Sequence, residues 1–335
     1  MKKLFSNIMM DFFNVYLSKE AGFSENTLKS YRDTIVLYIN FLEDTGVCKP
    51  ANLNVSFFTS DNVRKFLDWL ETFKGSCANT RNQRLAALKA FCNYVIRKMP
   101  ECYGDCQDIL SLRLRRVPTA AIEYLPIDSI AAVLSQPDHN TIKGIRDLAI
   151  IAFMYETGCR VQELIDARFG DVTFKKPSTV TLKGKGKKTR VIPISSNAAS
   201  IMSQYSRHCG ILRPEQPLFS NRFGKPLSRS GVAYILNKYF QLARQANPDI
   251  FIKSIHPHVL RHSKAMHLLE NGVNLIYIRD FLGHTSVTTT EIYAKCNPEL
   301  KRKYILEAAV NLDESILPYS NTEKDILLDW LKNNI

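Results

Sequence analysis

The 335-residue chain contains no run of about 18 apolar residues, which excludes a membrane-spanning helix from the reading. It is short of acid: 32 Asp and Glu stand against 45 Lys and Arg, a net charge of +13. That shortage points to a polyanionic partner, nucleic acid being the commonest, or to a basic soluble protein with none. No HExxH, no paired cysteine motif and no clustered acidic ligands are present, so no metal is expected. Cys102 and Cys106 make a lone CxxxC, and the eight cysteines read as free thiols. The start, Met1 to Phe5, is positive but is not followed by an apolar block with a small-residue cleavage site. A cytoplasmic location is expected. Gly184-Lys185-Gly186 lacks the longer GxxxxGK[ST] pattern and is not a phosphate-binding loop of that kind. Internal repeats and low-complexity tracts are absent as well.

Apolar residues make up 45% of the chain, enough for two domains with cores of their own. The first hundred residues carry four helical patterns. Met9, Phe12, Phe13, Tyr16 and Leu17 form one face, and Leu28, Tyr31, Ile35, Tyr38 and Leu42 form the next, after Ser24 as N-cap and before Gly46 as stop. A third helix from Ser60 buries Val63, Phe66, Leu67 and Leu70. A fourth, over about 79–98, turns Leu85, Leu88, Cys92 and Val95 inward and Arg81, Asn82, Arg84 and Lys89 outward. A helical domain is thus expected over 1–105 and a linker over 106–126, where Pro118, Pro126 and the run Arg113 to Arg116 fall. That basic run is either a phosphate contact or a solvated charge run.

The second domain, over 127–310, opens with helical patterns at 127–135 and 141–157 and a further helix after Gly158. Two β-rich arms around Gly184-Lys185-Gly186 form a hairpin ending at Pro193. Helices follow at 196–208, 229–246, 257–270 and 274–282, and another runs from Thr288 to about Ala309. In the tail, 311–335, Ile326, Leu327, Trp330 and Leu331 make an apolar stripe. A terminal helix this short needs a surface to dock on, in its own domain or on another subunit.

His258, Arg261 and His262 lie at i, i+3 and i+4 on one face of a helix start. Arg160 stands in TGCRVQEL, Lys185 in LKGKGKKTRVIPI, and His284 in FLGHTSVTTTEIYA, nine residues before Tyr293. Taken singly, each has a plain reading: a capping histidine, a solvated turn, a half-buried tyrosine. Together, in this order and spacing, the four segments resemble the boxes of the tyrosine recombinase (phage integrase) family, closely over about residues 145–305 and more loosely in the helical N-terminal module.

The resemblance implies a mainly α fold with a small β-hairpin sheet, in which a SAM-like four-helix domain and an α+β catalytic domain clamp DNA between them. It implies a site-specific recombinase whose six catalytic residues are Arg160, Lys185, His258, Arg261, His284 and Tyr293. In that scheme the two guanidiniums bind the non-bridging oxygens of the scissile phosphate. Tyr293 attacks to give a 3′-phosphotyrosine, with His258 as base, His284 as phosphate donor and Lys185 as acid for the 5′-hydroxyl. The ester keeps the bond energy, so no cofactor, metal or ATP is implied. Glu163 is expected to orient Arg160 or cap a helix, His262 to be structural, His256 to touch a phosphate at most, and His267 to face the core. Lys183, Lys187, Lys188 and Arg190 beside the hairpin turn, and Arg81, Asn82 and Arg84 on the fourth helix, are assigned to DNA contact. Double-stranded DNA is the expected partner, bound by a homotetramer or by a hetero-tetramer with a related recombinase, the tail bridging protomers. Two alternatives remain open: a type IB topoisomerase and a non-catalytic DNA-binding protein.

Overall fold

The computed structural model describes residues 5–49, 52–117, 122–184, 188–221, 223–284, 286–296 and 321–334. Lys185, Lys187 and the stretch 297–320, where the helix from Thr288 is expected to continue, lie outside the described residues. The chain divides into two compact units, Met1–Ala120 and Ala121–Ile335.

The first unit is helical. Helix α1 (Phe5–Asp11) runs on into wider π-helical turns over Phe12–Glu20. Then come α2 (Glu25–Asp44), α3 (Ser60–Thr72) and α4 (Ala78–Lys98). Ser24 and Thr59 cap α2 and α3 by accepting from the backbone N–H of Thr27 and Asn62, each satisfying a donor that has no partner within its helix. The core is aromatic: Phe12, Tyr38, Phe41, Phe58, Phe66 and Phe91 are buried among one another. Each such side chain contributes roughly 1.5–3 kcal/mol on burial. A fifth helix, α5 (Tyr103–Ser111), adds Cys106 and Ile109 to this core, so the segment expected as linker from 106 begins inside a helix. Pro100 opens the short 3₁₀ turn that leads into α5, and two apolar residues three apart are too few to signal a helix by period.

The second unit places helices around a three-stranded antiparallel sheet. Its elements are α6 (Ile127–Leu134), α7 (Ile142–Thr157), α8 (Val161–Asp166), β1 (Val172–Thr173), β2 (Thr179–Lys183), β3 (Thr189–Pro193), α9 (Ser196–His208), α10 (Arg229–Ala246), α11 (Pro257–Glu270), α12 (Leu275–Leu282) and α13 (Thr288–Cys296). Helix α7 is the central one, with Ile145, Leu148, Ala149, Ile151, Ala152 and Phe153 all buried, because its sequence is apolar on nearly every face. Strands β2 and β3 pair from Thr179↔Pro193 to Lys183↔Thr189, and the Gly184 N–H donates to the Lys188 carbonyl at 2.8 Å. The expected hairpin is therefore formed, with Pro193 at a strand end. The tail helix α14 (Asn321–Asn334) leaves Ile326, Trp330 and Leu331 substantially exposed. Among the described residues, no helix is long and apolar enough to cross a membrane.

Candidate active site

The end of α12 organises the site. Gly283 takes a left-handed conformation (φ 64°), and its N–H donates to the Asp280 carbonyl while that of His284 donates to the Arg279 carbonyl. This double closure is the usual glycine-terminated helix end. It leaves the next three carbonyls, at the negative end of the helix dipole, for other donors. Three guanidiniums take them in order. Arg190 Nε donates to the Phe281 carbonyl at 2.9 Å, Arg261 Nη2 to that of Leu282 at 2.6 Å, and Arg160 Nη2 to that of Gly283 at 3.3 Å.

Each arginine arrives from a different element. Arg160 precedes α8, whose third residue, Glu163, reaches back: Oε2 accepts from the Arg160 backbone N–H at 2.8 Å, and Oε1 from Arg160 Nη1 at 2.9 Å. Glu163 thus both caps the helix and orients the arginine. Arg261 lies one turn into α11, which Pro257 opens, and it also donates through Nη1 to the carbonyl of Gly158 at 2.7 Å. Gly158 ends α7 with φ 54°, and a Cβ there would press on Phe281 at 3.0 Å. Arg261 is 3% exposed. Burial, with Arg160 nearby, lowers its pKa to about 10, so it stays cationic at neutral pH. Burial opposes ionisation of Glu163, but hydrogen bonds from Arg190 and the Arg160 backbone outweigh it and hold the carboxyl below its ordinary value.

Helix α13 brings Tyr293 against α11. Its ring is buried with Ala265, Met266, Ile278 and Leu282, and its hydroxyl lies 2.9 Å from His262 Nδ1. His262, set aside as structural from the sequence, is therefore the imidazole on the tyrosine. The ring of His258 lies 6.4 Å from that of His262. His284 Nδ1 meets Thr290 Oγ1 at 3.0 Å, which ties the end of α12 to the start of α13. Of the six residues singled out from the sequence, five are described: Arg160, Arg261 and His284 meet at the end of α12, and His258 and Tyr293 flank His262 on the face of α11. Lys185 lies outside the described residues. A Cβ at Gly184, the last described residue before the turn, would lie 3.4 Å from Glu163 Oε1, so the end of β2 stands beside the Glu163 carboxylate.

The phage integrase family model matches residues 123–299, and that of the phage integrase N-terminal SAM-like domain matches residues 10–99. The chain belongs to the phage integrase family. A putative integrase/recombinase of Sinorhizobium fredii is 32% identical over 295 residues, 88% of each chain. The tyrosine recombinase XerC of Chlamydia caviae is 30% identical over 86% of this chain and 94% of its own. Among solved structures, the Tn1549 transposon integrase in complex with transposon right end DNA shares the fold, with a TM-score of 0.67 at 16% identity over 90% of this chain and 99% of that one. The chain is thus a tyrosine recombinase, a DNA strand-transfer enzyme by family.

Within this recombinase, the side chains assigned to DNA contact divide. Lys188 is exposed, and Lys183 is exposed but paired with Asp171 at 3.0 Å. Asn82 exchanges hydrogen bonds with the Arg115 backbone, and Arg84 Nη1 donates to the Ser30 carbonyl and to Thr34 Oγ1, so both brace their own unit. Arg81 faces Glu71 at 3.7 Å. Arg190 is engaged inside the catalytic unit. A signal for that was present: Arg190, Ile192 and Ile194 alternate along one strand face, and both isoleucines are buried.

The histidines set a pH dependence of stability. Burial first, then nearby cations and imidazoles, lowers His262 and His284 to about 4. Their unfolded forms take up protons at about 6.5, so protonation favours unfolding. The stabilisation is complete above that pH and is lost as the pH falls toward 4. Discounted for partial exposure, the two together should account for a loss of roughly 2 kcal/mol at pH 5. Denaturant unfolding at pH 7 and pH 5 checks this; equal midpoints would refute it.

Proposed function

We propose that the chain is a site-specific recombinase that cleaves and rejoins DNA strands through a covalent 3′-phosphotyrosine at Tyr293, without metal or ATP. The observation that carries this reading is the 2.9 Å contact between the Tyr293 hydroxyl and His262 Nδ1, on the helix that also holds the buried Arg261. An unperturbed tyrosine has a pKa near 10 and needs an acceptor for its proton. His262 is neutral at physiological pH, and in the tautomer with its lone pair on Nδ1 it stands within reach of that proton; a bound phosphate anion would raise its basicity from the low value that burial imposes. Tyr293 Oη forms the new P–O bond, its proton passes to His262, and the bond to the 5′-oxygen breaks. Lys185 protonates that oxygen. Arg160 and Arg261 meet the charge that grows on the non-bridging oxygens, the arrangement through which preorganised donors lower a barrier most. His258 and His284 add donors to the phosphate. The net charge of +13 supports a duplex DNA partner, with phosphate contacts supplying sequence-independent affinity. The exposed apolar side chains of α14 support an assembly, a homotetramer or a hetero-tetramer with a related recombinase, in which the tail packs on an adjacent protomer.

The test is a nicked suicide duplex carrying the DNA that flanks the gene. Cleavage beside the nick releases a short strand and prevents religation, so the protein stays attached. The expected result is a denaturation-resistant adduct whose nucleotide-bearing peptide contains Tyr293. A failure to form any adduct, or attachment at another residue, would sink the proposal.

A further inference from the structure

The Arg160–Glu163 pair raises a difficulty that Arg190 resolves. A carboxylate that receives both the backbone N–H and the guanidinium of Arg160 at 2.8–2.9 Å neutralises the cation it orients. An arginine neutralised in this way is a poor phosphate ligand, because the attraction it offers an anion is offset by repulsion from the carboxylate. Arg190, from β3, supplies a second guanidinium to the same two oxygens: Nη1 to Oε1 at 3.0 Å and Nη2 to Oε2 at 2.7 Å. This is the paired, fork-to-fork geometry in which arginine and carboxylate bind most strongly. Its remaining nitrogen, Nε, holds the Phe281 carbonyl. All three nitrogens of Arg190 therefore have acceptors within the protein. Its side chain is 12% exposed, whereas that of Arg160 is 36% exposed.

We infer that Arg190 is a positioning residue of the strand-transfer reaction: it balances the charge of Glu163, so that Glu163 can aim Arg160 while leaving it a full positive charge for the scissile phosphate. The Arg190 Nε bond to the Phe281 carbonyl ties β3 to the end of α12 that leads into His284. Its position is tightly defined, since a Cβ on Gly283 would come within 2.9 Å of Arg190 Nη1. Arg190 does not touch the DNA in this arrangement, although it sits in a hairpin rich in lysine. The inference rests on the proposed cleavage by Tyr293, which supplies its readout.

The experiment compares the full-length wild-type chain with Arg190→Gln, Arg190→Lys, and the double variant Glu163→Gln with Arg190→Gln. Single-turnover cleavage of the suicide duplex is measured at saturating DNA, beside duplex affinity across a salt series and thermal unfolding. Arg190→Gln should cut the cleavage rate about 100-fold, the scale of a misplaced catalytic group. Its affinity should keep the wild-type salt dependence, because no phosphate contact is lost. Arg190→Lys should fall between the two, since one ammonium cannot span both carboxylate oxygens. The double variant is the decisive one. Removing the carboxylate charge as well should restore cleavage at least tenfold over Arg190→Gln, because Arg160 regains its charge. A purely structural role predicts no such recovery, so a double variant no faster than Arg190→Gln would overturn the inference. So would a salt slope reduced by about 0.9 with cleavage intact, the mark of a lost phosphate contact. An adduct from the wild type with an undiminished rate in Arg190→Gln would overturn this inference alone. No adduct from the wild type would overturn the Tyr293 reading, and this one with it.

Discussion

Tyr293→Phe is expected to form no covalent adduct with a suicide duplex, while its affinity for intact DNA and its fold should be retained. The substitution removes one oxygen from a ring whose carbon atoms already pack against Ala265, Met266, Ile278 and Leu282. Phenylalanine fills the same volume, and such swaps in a core usually cost under about 1.5 kcal/mol. The lost partner is His262 Nδ1, whose unmade hydrogen bond accounts for about 1 kcal/mol of that. The chemistry is a different matter, because no other oxygen stands in for the attacking Oη. Activity should therefore drop below detection rather than by a factor, and stability should move little. Mobility shift, adduct formation and thermal unfolding, run side by side, separate the two effects. An adduct formed by Tyr293→Phe would show that the nucleophile lies elsewhere.

Arg261→Met carries the second large effect, and here stability and activity fall together. Arg261 is 3% exposed and ties the Gly158 carbonyl at the end of α7 to the Leu282 carbonyl at the end of α12. Methionine fills part of the space but leaves both carbonyls without their donors. At about 1–3 kcal/mol for each buried polar group left unsatisfied, a loss of roughly 3 kcal/mol is expected, measured by denaturant unfolding. Cleavage should fall at least about 1000-fold, the upper range for removing one preorganised donor to a developing anion, since Arg261 brings both a charge and several N–H groups. Arg261→Lys should recover part of the stability and little of the rate, because one ammonium cannot reproduce the fork. Arg261→Met with stability within about 1 kcal/mol of wild type and cleavage within threefold would contradict both parts.

The two substitutions expose the same feature of the design. Gly158 and Gly283 end two helices in the left-handed conformation, and guanidiniums satisfy their carbonyls, the buried Arg261 that of Gly158 and the half-exposed Arg160 that of Gly283. Those cations are also the groups a phosphate requires. Under the proposed reaction, folding and catalysis draw on the same guanidiniums, which is why Arg261 is expected to weigh on both while Tyr293, whose ring packs and whose oxygen is the proposed nucleophile, is expected to weigh on one.

Much of this was legible in the sequence. Apolar spacing placed the helices, because an amphipathic helix must turn one stripe inward. The hairpin around Gly184 followed from β-rich arms about a glycine turn. The six candidate residues stand out because each lies in a short segment with its own local pattern, and five of them fall among the described residues. Local patterning also missed α5, where only Cys106 and Ile109 turn inward. What the sequence could not settle was which neighbour each charged or titratable group meets. Arg190 has the composition of its lysine-rich surroundings, yet strand alternation and the reach of Glu163 turn it inward. His262 has no local mark that sets it above His258, and only the packing of α13 on α11 brings it to the hydroxyl of Tyr293. By itself, then, the sequence determined the family, most of the elements and the candidate reactive groups, because these depend on residue type and period along the chain. Tertiary structure alone decided which imidazole meets the tyrosine and which arginine is locked onto both oxygens of Glu163, because hydrogen bonds and charge balance depend on distances between segments far apart in sequence.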